Sequence, residues 1–391
     1  MQKKLIALAV AAAISAPAFA DNANVTVYGR VHTSLDSNTG NAGATQAAGT
    51  VNGLNLTSNS SRLGFKGSED LGGDLKAVYQ YETEVLAQGN AAAMLGAERD
   101  TYVGVAGGFG TVVAGRLPLA NQYVGDANFM GDKVGDAGNL TAGGFGGLGR
   151  LAVPSRASRA IGYVSPTFAG VTITAGLVPN TPQSLNGTAN SPEKDRSITL
   201  RAAYDNHGIF AAVTYLNLGV TGLNMTNGTS SPTGVPTATF ADSGANIYLL
   251  SLAGGYDFGM AKVRAQYVST TANSAAAGAI GLTVLKQDVI TVGGQINIGN
   301  GAIKLQLATA QKAKLDNVAG TAVNDGTQAV LSAIAYEHNL SKRTSVYAAY
   351  AHVNNGVNSA FSATGYAHGG VGSPGASNSP SALSLGVIHN F

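Results

Sequence analysis

Asp126, Asp132 and Asp136 lie close together in a glycine-rich stretch, with Lys133 between them. Acidic oxygens in that pattern can hold a hard divalent cation as structural support, or they can face basic groups across a gap. Other chemistry finds little footing. The six histidines, His32, His207, His338, His352, His368 and His389, form neither H-E-x-x-H nor another compact ligand spacing. There is no G-x-S-x-G, so the nucleophile elbow of the α/β-hydrolases is missing; a Ser-His-Asp site assembled from distant strands stays open at this point. Gly144-Phe145-Gly146-Gly147-Leu148-Gly149 matches G-x-G-x-x-G, but no strand precedes it, no helix follows, and Pro154 stands soon after. That segment reads as loop. Cysteine is absent, which removes disulfides and thiolate metal sites. No catalytic residue, metal or cofactor is assigned.

The elements that must position these residues begin after a leader. Lys3 and Lys4 precede an apolar run from Leu5 to Ile14, and Ala18-Phe19-Ala20 stands before Asp21. Residues 1–20 therefore read as a secretory signal peptide, with an apolar run too short to span a bilayer. Without the two leader lysines the chain carries 21 basic and 21 acidic residues, so no nucleic-acid partner is expected. Glycine accounts for 53 of 391 residues, about twice the usual share. Each one inside a helix would cost about 1 kcal/mol against alanine, whereas sheets with many tight turns tolerate them.

The remaining residues, 21–391, read as one domain built on a period of two. Val25, Val27, Val31 and Leu35 fall on one face of their segment, and Thr26, Tyr28, Arg30, His32 and Ser34 on the other. Ile198, Leu200, Ala202 and Tyr204 likewise oppose Ser197, Thr199 and Arg201, and Ile303, Leu305 and Leu307 oppose Lys304 and Gln306. In 261–267, Lys262, Arg264 and Gln266 form the polar face. Seven short turns (68–74, 107–110, 165–170, 205–208, 257–259, 298–301, 339–343) alternate with eight long polar loops (36–56, 86–98, 117–157, 179–195, 218–245, 270–285, 314–327, 354–380). Fifteen connections give sixteen strands: an all-β, antiparallel transmembrane barrel with short periplasmic turns and long extracellular loops. Two segments, 111–114 and 344–353, are apolar on both faces and resist this reading. An open sheet edge in lipid would leave amides unpaired at several kcal/mol each. The first strand must therefore pair with the last, where Leu383, Leu385, Val387, His389 and Phe391 share a face.

Several runs carry a family resemblance. Val25-Thr26-Val27-Tyr28-Gly29-Arg30, SSRLGFKGSEDLGGDLKAVYQYE (60–82), RDTYVGVAGGFGTVVAGR (99–116), YVSPTFAGV (163–171) and the terminal GVIHNF resemble, in order, the hairpins and aromatic C-terminus of the general (non-specific) porins of Gram-negative bacteria, β-proteobacterial type. The resemblance implies an outer-membrane, water-filled channel for passive diffusion of ions and small hydrophilic solutes, and no enzyme activity. It also implies a homotrimer with one pore per subunit, contact with membrane lipid and lipopolysaccharide, and a C-terminal strand ending in Phe391 that the barrel-assembly machinery reads. The third loop, 117–157, would fold into the lumen as the pore constriction. Tryptophan is absent, which leaves the interfacial girdles to 15 Tyr and 11 Phe, and the stretch after Arg116 is unusually rich in glycine.

A sixteen-stranded barrel leaves an aqueous channel, and selectivity comes from the residues that narrow it. Alternation turns Arg30, Arg62, Lys76, Arg201, Lys262, Arg264 and Lys304 inward; the resemblance adds Arg99 and Arg116. The expectation is that Asp126, Asp132 and Asp136 face Arg30, Arg62 and Arg116 across a narrow water column, whose transverse field would orient dipolar solutes. Ordinary solvated charges are the alternative. Tyr81, Tyr102, Tyr204 and Tyr267 read as outward girdle residues, and Tyr28 as the one clear lumenal aromatic. A substrate-specific channel would want a ladder of such aromatics. A barrel whose long outer loops act as an adhesin or receptor is the other alternative.

Overall fold

The computed structural model describes residues 24–40, 53–86, 95–119, 124–141, 155–179, 196–225, 238–273, 282–317, 326–364 and 377–391. The leader 1–20, the glycine motif 144–149 and His368 lie outside these residues. Strands β1 (Asn24–Thr39), β2 (Gly53–Ser58 with Arg62–Gly72), β3 (Leu75–Val85), β4 (Leu95–Glu98 with Thr101–Gly107) and β5 (Gly110–Pro118) lead into the third loop. After it come β6 (Arg156–Val164), β7 (Val171–Val178), β8 (Ser197–Asn206), β9 (Ile209–Met225), β10 (Ala238–Asp257) and β11 (Ala261–Asn273). The barrel ends with β12 (Leu282–Ile298), β13 (Gly301–Ala310 with Lys314–Asn317), β14 (Ala329–Asn339), β15 (Thr344–Asn355) and β16 (Ser381–Asn390). Both runs of β2 pair with β1, both runs of β4 with β3, and both runs of β13 with β12. Each broken strand thus occupies one place in the wall, and sixteen strands go round.

Every neighbour is antiparallel, and β1 pairs with β16 from Arg30↔Asn390 to Thr39↔Ser381. The last residue completes that seam. Phe391 N donates to Gly29 O at 3.1 Å, and Gly29 N donates to Phe391 O at 3.0 Å. Closure leaves no sheet edge to desolvate in lipid.

The two faces of the wall reverse the polarity of a soluble sandwich. Val25, Val27, Leu35, Leu200, Leu383 and Leu385 are exposed on the outside, whereas His32, Ser34, Asp36, Thr199 and Ser384 are buried on the inside. An apolar outer band suits a hydrocarbon solvent, and a polar interior suits water. The segments that resisted alternation have a packing reason. In β15 the inward Ala349, Ala351 and Val353 are covered by the third loop, and in β5 the inward Val113 packs on an apolar cluster of Leu117, Ala160 and Val178.

Most short turns fall where the sequence places them, but several strands run further than expected. β2 and β3 continue to Gly72 and Leu75, which narrows the first turn to Gly73 and Asp74. On the opposite rim β9 and β10 continue to Met225 and from Ala238, into the stretch read as loop 218–245. Their threonines, serines and asparagines keep the ladder bonds there, with register shifts at Val220/Thr221 and Thr221/Leu223. Hydrophobic alternation is a sign of the lipid-facing part of a strand, and it fades where a hairpin continues with polar residues.

Candidate functional site in the barrel lumen

Residues 124–141 of the third loop lie against the inner wall. Met130, Val134, Ala137 and Leu140 form one buried cluster with Ala308 and Ala310 of β13, Ala333 and Ala335 of β14, and Ala349 and Ala351 of β15. Small inward side chains on three adjacent strands make room for the loop. Phe129 N donates to Gln306 Oε1 at 2.8 Å, and Gly135 N donates to Ala363 O at 2.9 Å. The short helix Gly138–Thr141 ends the described part, where the Asn139 amide donates to Ser362 O.

Charged residues fasten the loop to the wall at three places. Asp126 accepts both terminal nitrogens of Arg201 on β8, at 2.8 and 2.7 Å, and its carbonyl accepts Arg264 Nη1 at 3.3 Å. Asp132 accepts Arg30 Nη1 at 3.0 Å. Lys133 Nζ lies 3.3 Å from Glu337 Oε2, which also accepts Lys304 Nζ at 2.8 Å. These pairs are part-buried beside the lumen, so breaking one costs less than the roughly 3–5 kcal/mol of a fully buried pair.

On β1 to β4 a second group faces the lumen. Glu82 accepts Arg99 Nε at 2.5 Å and the Tyr28 hydroxyl at 2.9 Å, and Arg62 Nε stands 3.8 Å from it. Arg62 lies directly across from Arg30 on β1 and from Glu84 on β3. Lys66 sits over the Tyr28 ring, 5.1 Å from its centroid.

The expected site residues are thus distributed unevenly. Arg30 and Asp132 meet, and Arg62 and Arg99 share Glu82. Asp126 pairs with Arg201 and not with the β1–β2 arginines. Asp136 turns into the loop itself, where its carboxylate accepts Asn128 Nδ2 at 2.6 Å, Asp132 N at 3.1 Å and Gly138 N at 2.8 Å. Lys76 is six residues along β3 from Glu82, about 20 Å away at the strand rise, and lies opposite Asp70 near the turn. Arg116 follows Val112 and Ala114 in the alternation of β5, on the outer face, and donates to Ser158 Oγ at 2.5 Å. Lys262 pairs with Asp257 across the turn at 258–260. Tyr102 is also displaced from its expected side: its hydroxyl donates to Gln80 Oε1 at 3.2 Å, on the lumen face. With Tyr28, Tyr102 and the buried Tyr347, the lumen holds more aromatics than alternation singled out. Sequence reasoning passed over Glu82 and Glu337. Both follow the inward alternation of their strands (Gln80 before Glu82, Ala335 before Glu337), which is the signal that could have found them. Among the described residues no group of three His, Cys, Asp or Glu side chains is arranged to hold a metal.

Burial pushes the Asp136 carboxyl from 3.8 up to about 6, with Asp132 adding to the effect and its three donors opposing it. A value raised above that of the free chain means that the docked loop is favoured by protonation. That stabilisation is complete below about 3.8 and is lost as pH rises through about 6. The difference is on the order of 3 kcal/mol at about 1.36 kcal/mol per pH unit. Open-channel current noise from loop motion should therefore fall as pH is lowered from 7 to 4, and Asp136→Asn should flatten that dependence. An unchanged pH profile in the variant would contradict the assignment.

A closed sixteen-stranded wall, apolar outside and charged inside with a loop laid across it, defines a transmembrane β-barrel channel. The family model described as Gram-negative porin matches residues 7–358, and the chain belongs to that family. Outer membrane porin protein 32 of Delftia acidovorans is 30% identical over the whole length of both chains. The major outer membrane protein P.IB of Neisseria meningitidis serogroup B is 33% identical over 44% of this chain and 47% of its own length. Among solved structures, the anion-selective porin from Comamonas acidovorans superimposes with a TM-score of 0.68 at 24% identity, covering 95% of this chain and all of that one. The protein is an outer-membrane channel for passive diffusion of solutes.

Proposed function

We propose that this channel prefers small anions and that its narrowest part lies between loop residues 124–141 and the wall carrying Arg30, Arg62 and Arg99. The observation that carries the reading is the charge balance there. Arg30, Arg62, Lys66, Arg99, Lys133, Arg156, Arg201, Arg264 and Lys304 stand against Asp36, Glu82, Glu84, Asp100, Asp126, Asp132 and Glu337, with Asp136 turned into the loop. A cationic surplus in a narrow column raises the local concentration of anions and lowers that of cations. The solved porin from Comamonas acidovorans is described as anion-selective, which agrees with this reading.

The chain acts as a passive channel and catalyses no reaction. It assembles as a homotrimer; the outer membrane protein OmpT of Vibrio cholerae, which shares the fold, has been solved in a trimer form. It is exported by the leader 1–20, sits among outer-membrane lipid and lipopolysaccharide, and presents the strand ending in Phe391 to the barrel-assembly machinery. The reversal potential in a potassium chloride gradient, recorded in a planar bilayer, tests the preference. A potential toward that of chloride is expected, and one toward that of potassium would refute it.

A further inference from the structure

Resting on that anion-preferring reading, we propose that the periplasmic side of the loop carries a site for phosphate monoesters of small polyols, sugar phosphates among them. Arg30, Lys133, Lys304, Lys342 and Arg343 line one cavity of about 330 Å³ together with Glu337. Its wall runs from Phe129 and Gly131 of the loop to the turn between β14 and β15. Asp132 answers Arg30 there, and Glu337 answers Lys133 and Lys304. Lys342 and Arg343 form no ion pair among the described residues. Five positive charges thus stand against two negative ones.

That surplus favours a multiply charged anion over chloride. A phosphate monoester carries about −1.5 to −2 charges at pH 7 and three acceptor oxygens, which suits guanidinium and ammonium donors side by side. The partner for the rest of the solute lies next to them. A second cavity, of about 690 Å³, shares Lys304, Glu337 and Lys342 with the first and adds Gln295, Asn297 and Asn300. Gln295 is the direct cross-strand neighbour of Lys304, and both face inward because Ile296 and Leu305 are exposed outside. The amides therefore begin where the charges end. Amide groups donate and accept, as the hydroxyls of a polyol do, whereas a hydrocarbon body would leave them unpaired. Leu340 is the one large apolar side chain of this second cavity among the described residues.

Channels of the full-length protein in a planar bilayer test this with glucose 6-phosphate, potassium phosphate and glucose added to potassium chloride. Glucose 6-phosphate should interrupt the current at a concentration about five-fold below that for phosphate and about fifty-fold below that for glucose. Lys342→Gln combined with Arg343→Gln should raise the requirement for both phosphates about ten-fold. Gln295→Ala should raise that for glucose 6-phosphate alone, by about three-fold. Added potassium chloride should weaken both phosphates in the unaltered channel, which tests the charges even if the turn variant yields no channels. Equal action of glucose 6-phosphate and phosphate, equal action of glucose, indifference to salt, or a requirement unaltered in these variants would each overturn the site. The reversal potential on the same channels separates the two claims. A potassium preference sinks the anion reading, whereas a chloride preference without interruption by glucose 6-phosphate sinks the site alone.

Discussion

Replacing Arg30 and Arg62 together by glutamine is expected to turn the channel toward cations. The two residues are direct cross-strand neighbours on the inner wall, and Arg30 holds Asp132 of the loop at 3.0 Å. Their removal deletes two positive charges and leaves Asp132, Glu82 and Glu84 beside the water column. A unit charge about 5 Å from a permeant ion in water is worth about 0.8 kcal/mol. Each arginine therefore alters the local concentration of either ion by a factor of about four, in opposite directions for chloride and potassium. Salt screening reduces this, and a fall of about ten-fold in the chloride-to-potassium permeability ratio is the expected net result. Reversal potentials at low salt measure it. An unchanged ratio would remove both arginines from the permeation path.

The second large effect is expected from Gly135→Leu. Gly135 adopts φ +81°, and a Cβ there would lie 2.2 Å from Ala333 Cβ and 3.2 Å from Ala351 Cβ. The loop thus touches β14 and β15 with bare backbone. A leucine meets a left-handed backbone, at about 1–2 kcal/mol, and an overfilled contact, at about 1–3 kcal/mol more. That is comparable to the fastening from Asp132–Arg30 and Lys133–Glu337, so the tip should leave its seat for much of the time. Single-channel conductance should rise and become noisier. Heat-modifiability of the barrel should stay, because no ladder bond involves Gly135. A quiet channel of wild-type conductance would mean that the tip is not what narrows the lumen.

The wall was more legible in the sequence than the site. Strands such as β1 and β16 announce themselves because lipid demands an apolar residue at every second position, and the sixteen-strand count follows from turns punctuated by glycine and aspartate. The same signal failed where something other than water covers the inner face: β15, whose alanines sit under the loop, and β5, whose Val113 packs on Leu117, Ala160 and Val178. It could not reveal that Asp136 points into its own loop while Asp132, four residues earlier, reaches the wall, since a loop has no period to assign a direction. Arg116 shows a third limit, because alternation around it is masked by apolar residues on both faces of β5. The pairing of Asp126 with Arg201 joins segments distant along the chain, and nothing local to either residue encodes it.

The placement of the loop against β13–β15, with the water path beside the arginines, is tested most directly by single cysteines in a chain that has none of its own. Arg62→Cys and Ala333→Cys channels would each be exposed to a negatively charged methanethiosulfonate while current is recorded. Arg62→Cys should lose current promptly, because its position borders the water path. Ala333→Cys should not react, because Ala333 is 9% exposed beneath the loop. Rapid modification at 333 with no response at 62 would contradict the account, putting the loop off its seat and the pore along the opposite wall.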